Sequence, residues 1–211
     1  MVRTQDKNEI PLRLLEAGHR LFWRNGYNAT GIQEIANAAG VPKGSFYNHF
    51  ENKEEFAARV IENYSKWVSN NWDGLLAQAE VAEQNDHVGR VRMIFHFFIE
   101  HHERAQFLGC LVGNMTAEVA ESSPRCNAVL RKAMDEWSAR LTRSLEQAQA
   151  CGQVRTDIAA AELSAVFLEA WEGALQQMKL AGSADAPKKM VSTMLDVLFR
   201  PPFRPPVSPH R

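Results

Sequence analysis

Cys110 stands in the segment Gly109-Cys110-Leu111-Val112-Gly113-Asn114, at the start of a run with helical periodicity. A thiol in the first turn of a helix feels the positive end of the helix dipole, which favours the nucleophilic thiolate. Farther along, Trp171-Glu172-Gly173-Ala174 and Lys179 put an aromatic ring, an acid and an ammonium on one helix. If Lys179 faces Cys110, its charge lowers the thiol pKa further. A reactive sensor cysteine and a small buried hydrophobe are the two readings of this thiol. Gly109, Gly113 and Asn114 all cost helix stability, which points to close backbone approach or a polar task. Cys126 and Cys151 read as structural or incidental. Three cysteines without metal-ligand spacing argue against a zinc site or a disulfide framework, so reduced thiols are expected, with no metal and no cofactor. His96, Glu100, His101 and His102 crowd one helix, but no third ligand or motif accompanies them and no catalytic residue is assigned.

The other chemistry is recognition of a polyanion. In a short helix opened by Lys43, Phe46 and Phe50 lie four apart and face inward, leaving Lys43, Ser45, Tyr47, Asn48 and His49 outward. Gly44 lets such a helix approach a groove closely. A Lys at a helix start reaches phosphate or guanine, and hydroxyl and imidazole groups suit phosphate oxygens. Thr30 and Gln33 make a capping box on the preceding helix, whose N-terminus can accept a phosphate, and Lys53 begins the next helix. Basic residues only slightly outnumber acidic ones between Met1 and Lys53, and the whole chain carries a net charge of −1. The patch is therefore mild and two modules must act together. Arg3 and Lys7 form a polar N-terminal arm.

The elements positioning these groups are helical throughout. Leu12, Leu15, His19 and Phe22 recur at helical spacing, Pro11 fits the first turn, and Asn25-Gly26 supplies the stop near Arg24. The helix from Thr30 ends at Gly40, and Lys43 opens the next two residues later. This is the order of a helix-turn-helix. Further helices are expected over about Lys53–Gln78, His87–Arg104, Leu108–Ala120, Arg125–Ala150, Ala159–Leu180 and Ala186–Leu198, with Ser122-Ser123-Pro124 and Gly152 as breaks. The fold class is all-α, divided into a module at 1–52, a helical domain at 53–200 and a proline-rich, flexible tail at 201–211. With 211 residues, 45% hydrophobic and 23% charged, the chain can bury such a body. It has no bilayer-length apolar run, and Met1 to Ile10 is too polar for a signal peptide, so the cytoplasm is the expected compartment and no membrane partner is expected.

The runs Thr30-Gly31-Ile32-Gln33-Glu34-Ile35-Ala36, Ala39-Gly40-Val41-Pro42-Lys43-Gly44-Ser45-Phe46-Tyr47-Asn48-His49-Phe50 and Asn52-Lys53-Glu54 resemble the N-terminal signature of the tetracycline-repressor (TetR) family. That resemblance implies a homodimer bound to palindromic double-stranded operator DNA, with contacts from Thr30, Gln33, Lys43, Gly44, Ser45, Tyr47, Asn48, His49 and Lys53. It also implies repression relieved by a small-molecule effector. Gly109 to Asn114, Glu118, Trp171 to Ala174 and Lys179 are similar to a branch of the family that responds to acrylate and related electrophiles. On that resemblance Cys110, Asn114, Trp171 and Lys179 are the effector-binding candidates, and an effector near Cys110 moves the helix from Lys53. Phe167, Trp171, Leu175, Met178, Met190, Met194 and Leu198 form apolar faces that suit either a four-helix dimer interface or closure of the core.

Overall fold

A computed structural model describes residues 9–82 and 85–202, with side chains of 80–82 excepted. The arm carrying Arg3 and Lys7, and the tail from 203 onward, lie outside the described residues. Among the described residues the secondary structure is helical: α1 (Glu9–Asn25), α2 (Ile32–Ala38), α3 (Lys43–Tyr47), α4 (Lys53–Ala82), α5 (His87–Arg104), α6 (Leu111–Val119), α7 (Pro124–Ala150), α8 (Ala160–Ala181) and α9 (Asp185–Thr193), continued by a π-helical turn at Met194–Leu198. The expected all-α class and helix order are what the chain adopts. No described helix is long and apolar enough to cross a membrane.

The boundaries follow from local chemistry. Gly40 takes a left-handed φ of 66°. That lets Val41 N donate to Ala36 O while Gly40 N donates to Asn37 O, closing α2 and turning the chain into α3. Ser123 caps α7 by accepting from Cys126 N, with Pro124 at the first helical position. Asp86 caps α5 by accepting from Gly89 N.

Two expectations are corrected. Thr30 and Gln33 do not form a capping box: Gly31 caps α2 without a side-chain bond. Thr30 is buried and its hydroxyl donates to Gly26 O at 2.7 Å, tying off the loop between α1 and α2, while Gln33 donates to Asn37 Oδ1. The buried stripe of α1 runs through Leu14, Ala17, Phe22 and Trp23, leaving Leu12 outside.

The long helix α4 joins the two ends of the molecule. Its first turns pack on α1, and its body lies along α7, which packs on α8, which packs on α9. Phe56 on α4 meets Phe46 at 5.0 Å and Phe50 at 4.8 Å between ring centroids, so the short α3 is held by rings rather than by its own length. Phe167, Leu175 and Met178 are fully buried in a single chain, and Trp171 nearly so. These four close the core and are unavailable to a partner. On α8 and the turn after α9, Val166, Leu180, Val197 and Leu198 are left exposed.

Candidate functional site

The outer face of α3 is built from the inside. Phe46 is fully buried and Phe50 is 5% exposed, which fixes the rotation of the helix. Lys43, Gly44, Tyr47 and Asn48 are then exposed, with Ser45 and His49 at the edge. Tyr47 is 52% exposed, high for a ring of its size on a five-residue helix. A Cβ added at Gly44 would meet nothing within 4 Å, so this side of α3 is open. Gln33 is exposed on α2. Lys53 stands over the Tyr27 ring at 4.2 Å, and partial burial lowers its pKa. It remains at the edge of the same surface. Thr30 is the one expected contact whose hydroxyl is committed elsewhere, to Gly26 O and inside the fold.

The effector candidates separate into two places. Cys110 and Trp171 line one cavity with Tyr64, Val68, Trp72, Phe95, Phe98, His102, Trp137 and Leu168. Its volume is about 30 Å³, room for a single water. Asn114 and Lys179 meet at a separate groove with Gly26 and Glu118, where Lys179 Nζ lies 3.5 Å from Asn114 Oδ1.

The thiolate expectation is corrected. Cys110 caps α6, so the helix amides do favour its charged form, yet burial outweighs them and raises its pKa well above the ordinary value. The charged residue acting on the thiol is Glu172, an acid that raises it further, rather than Lys179. Burial in turn lifts Glu172 to about 7, opposed by its hydrogen bond with Cys110. Gly113 makes this possible, because a Cβ there would collide with Glu172 Oε2. Its lack of a side chain leaves room for the Glu172 carboxylate, reaching from α8, against α6. Tyr64 completes the group, with its hydroxyl on Cys110 and its pKa raised by burial first and by the neighbouring thiol and acid second. His102, also on this cavity, is held down to about 3 by burial and by His101.

The walls connect to the α1–α3 end. Trp23 Nε1 donates to Gly109 O across 2.6 Å, one residue before the thiol. Asn28 N donates to Glu118 Oε2 at 2.8 Å, and Ser123 Oγ donates to Glu54 Oε1. Both α1 and the start of α4 are therefore pinned to the segment around α6.

Residues 14–60 match the model of bacterial regulatory proteins of the tetR family, and residues 87–194 match the tetracyclin repressor-like C-terminal domain. The chain belongs to the tetR family of regulators. Among its relatives, the HTH-type transcriptional repressor DhaR of Mycobacterium sp. strain GP1 is 29% identical over 193 residues, covering 92% of this chain and 94% of that one. The transcriptional regulator AcuR of Cereibacter sphaeroides is 34% identical over 168 residues, 79% and 75% of the two chains. The crystal structure of a TetR regulatory protein from Rhodobacter sphaeroides superposes with a TM-score of 0.79 at 32% identity, covering 89% of this chain and 97% of that one. The chain is accordingly a regulator of transcription and not an enzyme.

In this regulator, sequence reasoning missed Tyr64 and His102 as walls of the Cys110 cavity and Glu172 as the partner of its thiol. Glu172 carried a signal, since an acid beside Trp171 and Gly173 in an apolar helix needs a buried partner. Tyr64 carried none beyond its place in the periodic stripe of α4.

Proposed function

We propose that this chain is a dimeric repressor whose α3 enters the major groove of a palindromic operator and whose grip is released by a small molecule in the Cys110 cavity. Residues 1–52 act as the DNA-binding module and 53–200 as the effector-binding and dimerisation domain. The observation that carries the reading is the division of α3 into a face locked by Phe46 and Phe50 and an open face with Lys43, Ser45, Tyr47, Asn48 and His49. Gln33 and Lys53 flank that face and take phosphates; Gly44 keeps it low enough for close approach. Thr30 supports the loop and touches no DNA.

The small Cys110 cavity explains how an effector acts. Nothing larger than water fits until Tyr64, Val68 and Trp72 on α4 part from Leu168 and Trp171 on α8. Effector binding therefore displaces α4, and α1 follows through the Trp23 to Gly109 bond. A thiol-reactive effector reaches Cys110 only after this opening, since the closed thiol is protonated and paired with Glu172. Asn114 and Lys179 act from the neighbouring groove, on the segment that holds Gly109.

Binding of the purified protein to DNA upstream of its own gene and adjacent genes, at stated salt and with or without acrylate, tests this. Specific binding lost on adding acrylate supports the whole reading. Release retained in Cys110→Ser makes the effector non-covalent; release abolished in it assigns the thiol. Specific binding that survives Lys43→Ala and Tyr47→Ala unchanged would overturn the assigned face.

A further inference from the structure

A second cavity lies on the seam where α1 meets α4 and α5, on the other side of Tyr64 from the Cys110 cavity. Its volume is about 260 Å³, and Leu15 and His19 of α1, Val60, Tyr64 and Trp67 of α4 and His101 of α5 line it. An apolar cavity of roughly 150 Å³ already accepts benzene, whereas drug-sized sites span roughly 300–1,000 Å³. The space suits one or two fused rings. Its walls are flat: Tyr64 and Trp67 are stacked at 5.9 Å, Trp67 and His101 lie 4.3 Å apart, and His19 stacks on Tyr64 at 5.5 Å.

Two polar atoms within these walls have no hydrogen-bond partner among the described residues: Nε2 of His19 and Nε2 of His101, both buried. A buried polar atom left unpaired costs about 1–3 kcal/mol, which favours an occupant toward which either imidazole, both of them lining the cavity, turns its unpaired nitrogen. Burial, and then the neighbouring charges, hold both rings neutral at neutral pH. A neutral imidazole offers one donor and one acceptor. A hydroxyl both donates and accepts, and so serves either ring whichever tautomer it holds. Among the described residues lining the cavity there is no Lys or Arg, and the acid present is Glu16, at the exposed edge. An anionic ligand finds no counter-charge.

We propose that this seam is a ligand site distinct from the Cys110 cavity, taking a neutral planar aromatic molecule of one or two rings that carries a hydroxyl group. The hydroxyl pairs with His19 or His101, and the rings lie against Tyr64 and Trp67. The occupant bridges α1 to α4 and α5 and lies against Tyr64, whose hydroxyl sits on Cys110.

Calorimetric titration of the full chain with 2-naphthol, naphthalene and 2-naphthoate tests the assignment. 2-Naphthol is expected to bind once per protomer, with naphthalene and 2-naphthoate each weaker by roughly tenfold or more, the loss of one hydrogen bond. His19→Leu and His101→Leu should each weaken 2-naphthol by a similar factor. Leu15→Trp, at a half-buried position, fills the cavity while sparing both imidazoles and should abolish binding with unchanged circular dichroism. No binding of 2-naphthol to the wild-type chain, binding untouched by Leu15→Trp, or 2-naphthoate binding as tightly as 2-naphthol would each overturn the proposal.

Discussion

Phe46 and Tyr47 are adjacent and differ in their surroundings: one ring is fully buried and holds the helix, the other is 52% exposed on its open face. Replacing the buried ring removes the fold of the module, whereas replacing the exposed one leaves it intact. Lys43→Ala and Tyr47→Ala should therefore change stability by less than about 0.5 kcal/mol while weakening operator binding roughly tenfold. Lys43→Ala should also lower the salt slope of binding by about one, read from titrations at several salt concentrations. The thiols give a second expectation. Iodoacetamide at pH 7.5, followed peptide by peptide in a mass spectrometer, should label exposed Cys151 long before buried Cys110. Glu172→Gln removes the acid that raises the Cys110 pKa, so labelling of Cys110 should accelerate. Equal rates at Cys110 in the two proteins would remove Glu172 from the account.

At the scale of elements, α6 and α8 approach each other at Gly113, where the Glu172 carboxylate occupies the place of a side chain. Gly113→Ala should cost about 1–3 kcal/mol in urea denaturation, and considerably less in a Glu172→Ala background. Additive losses would mean that the two positions do not meet. This contact also marks how far the sequence could be read. Helix ends were legible because Gly40 and Pro124 act within a turn of their own positions. The open face of α3 was legible because Phe46 and Phe50 set it at helical spacing. The state of Cys110 was not, since dipole and burial oppose each other there and the deciding neighbours, Glu172 and Tyr64, are distant in the chain. The apolar stripe of α8 was likewise ambiguous, because core and dimer faces share one periodicity until packing separates Phe167 and Leu175 from Val166 and Leu180.

For the whole molecule, buried titratable groups oppose one another. His19 is lowered to about 4 and His102 to about 3, against 6.5 in the unfolded chain. Unfolding takes up protons at these rings, so their share of stability is complete above pH 6.5 and is lost as pH falls toward 4. Glu172, raised from 4.5 to about 7, keeps its proton when folded and releases it when unfolded. Its share is complete below 4.5 and is lost as pH rises through 7. The histidines outnumber it, so the urea midpoint should fall between pH 7 and 5, and Glu172→Gln should steepen that fall. A flat profile in the wild-type chain would contradict the burial of His19 and His102. Assembly is a further expectation at this scale. Leu180, 83% exposed, and Val197 belong to the apolar surface left over by the core. Val197→Glu with Leu180→Glu should shift sedimentation toward a monomer and weaken operator binding with it; an unchanged dimer would place the interface elsewhere.

The 30 residues of α4 make it a lever as well as a strut. At 1.5 Å per residue, Tyr64 lies about 16 Å along the axis from Lys53, so a tilt of about 5° with its fulcrum at Tyr64 swings Lys53 by about 1.4 Å. In the proposed dimer the same swing, mirrored in the second copy, would alter the span between the two α3 helices by up to about 3 Å, against a half-site repeat of about 34 Å. Hydrogen bonds to bases and phosphates tolerate only a few tenths of an ångström, so on the proposed reading a small gap opened deep in the body would put both half-sites out of step at once.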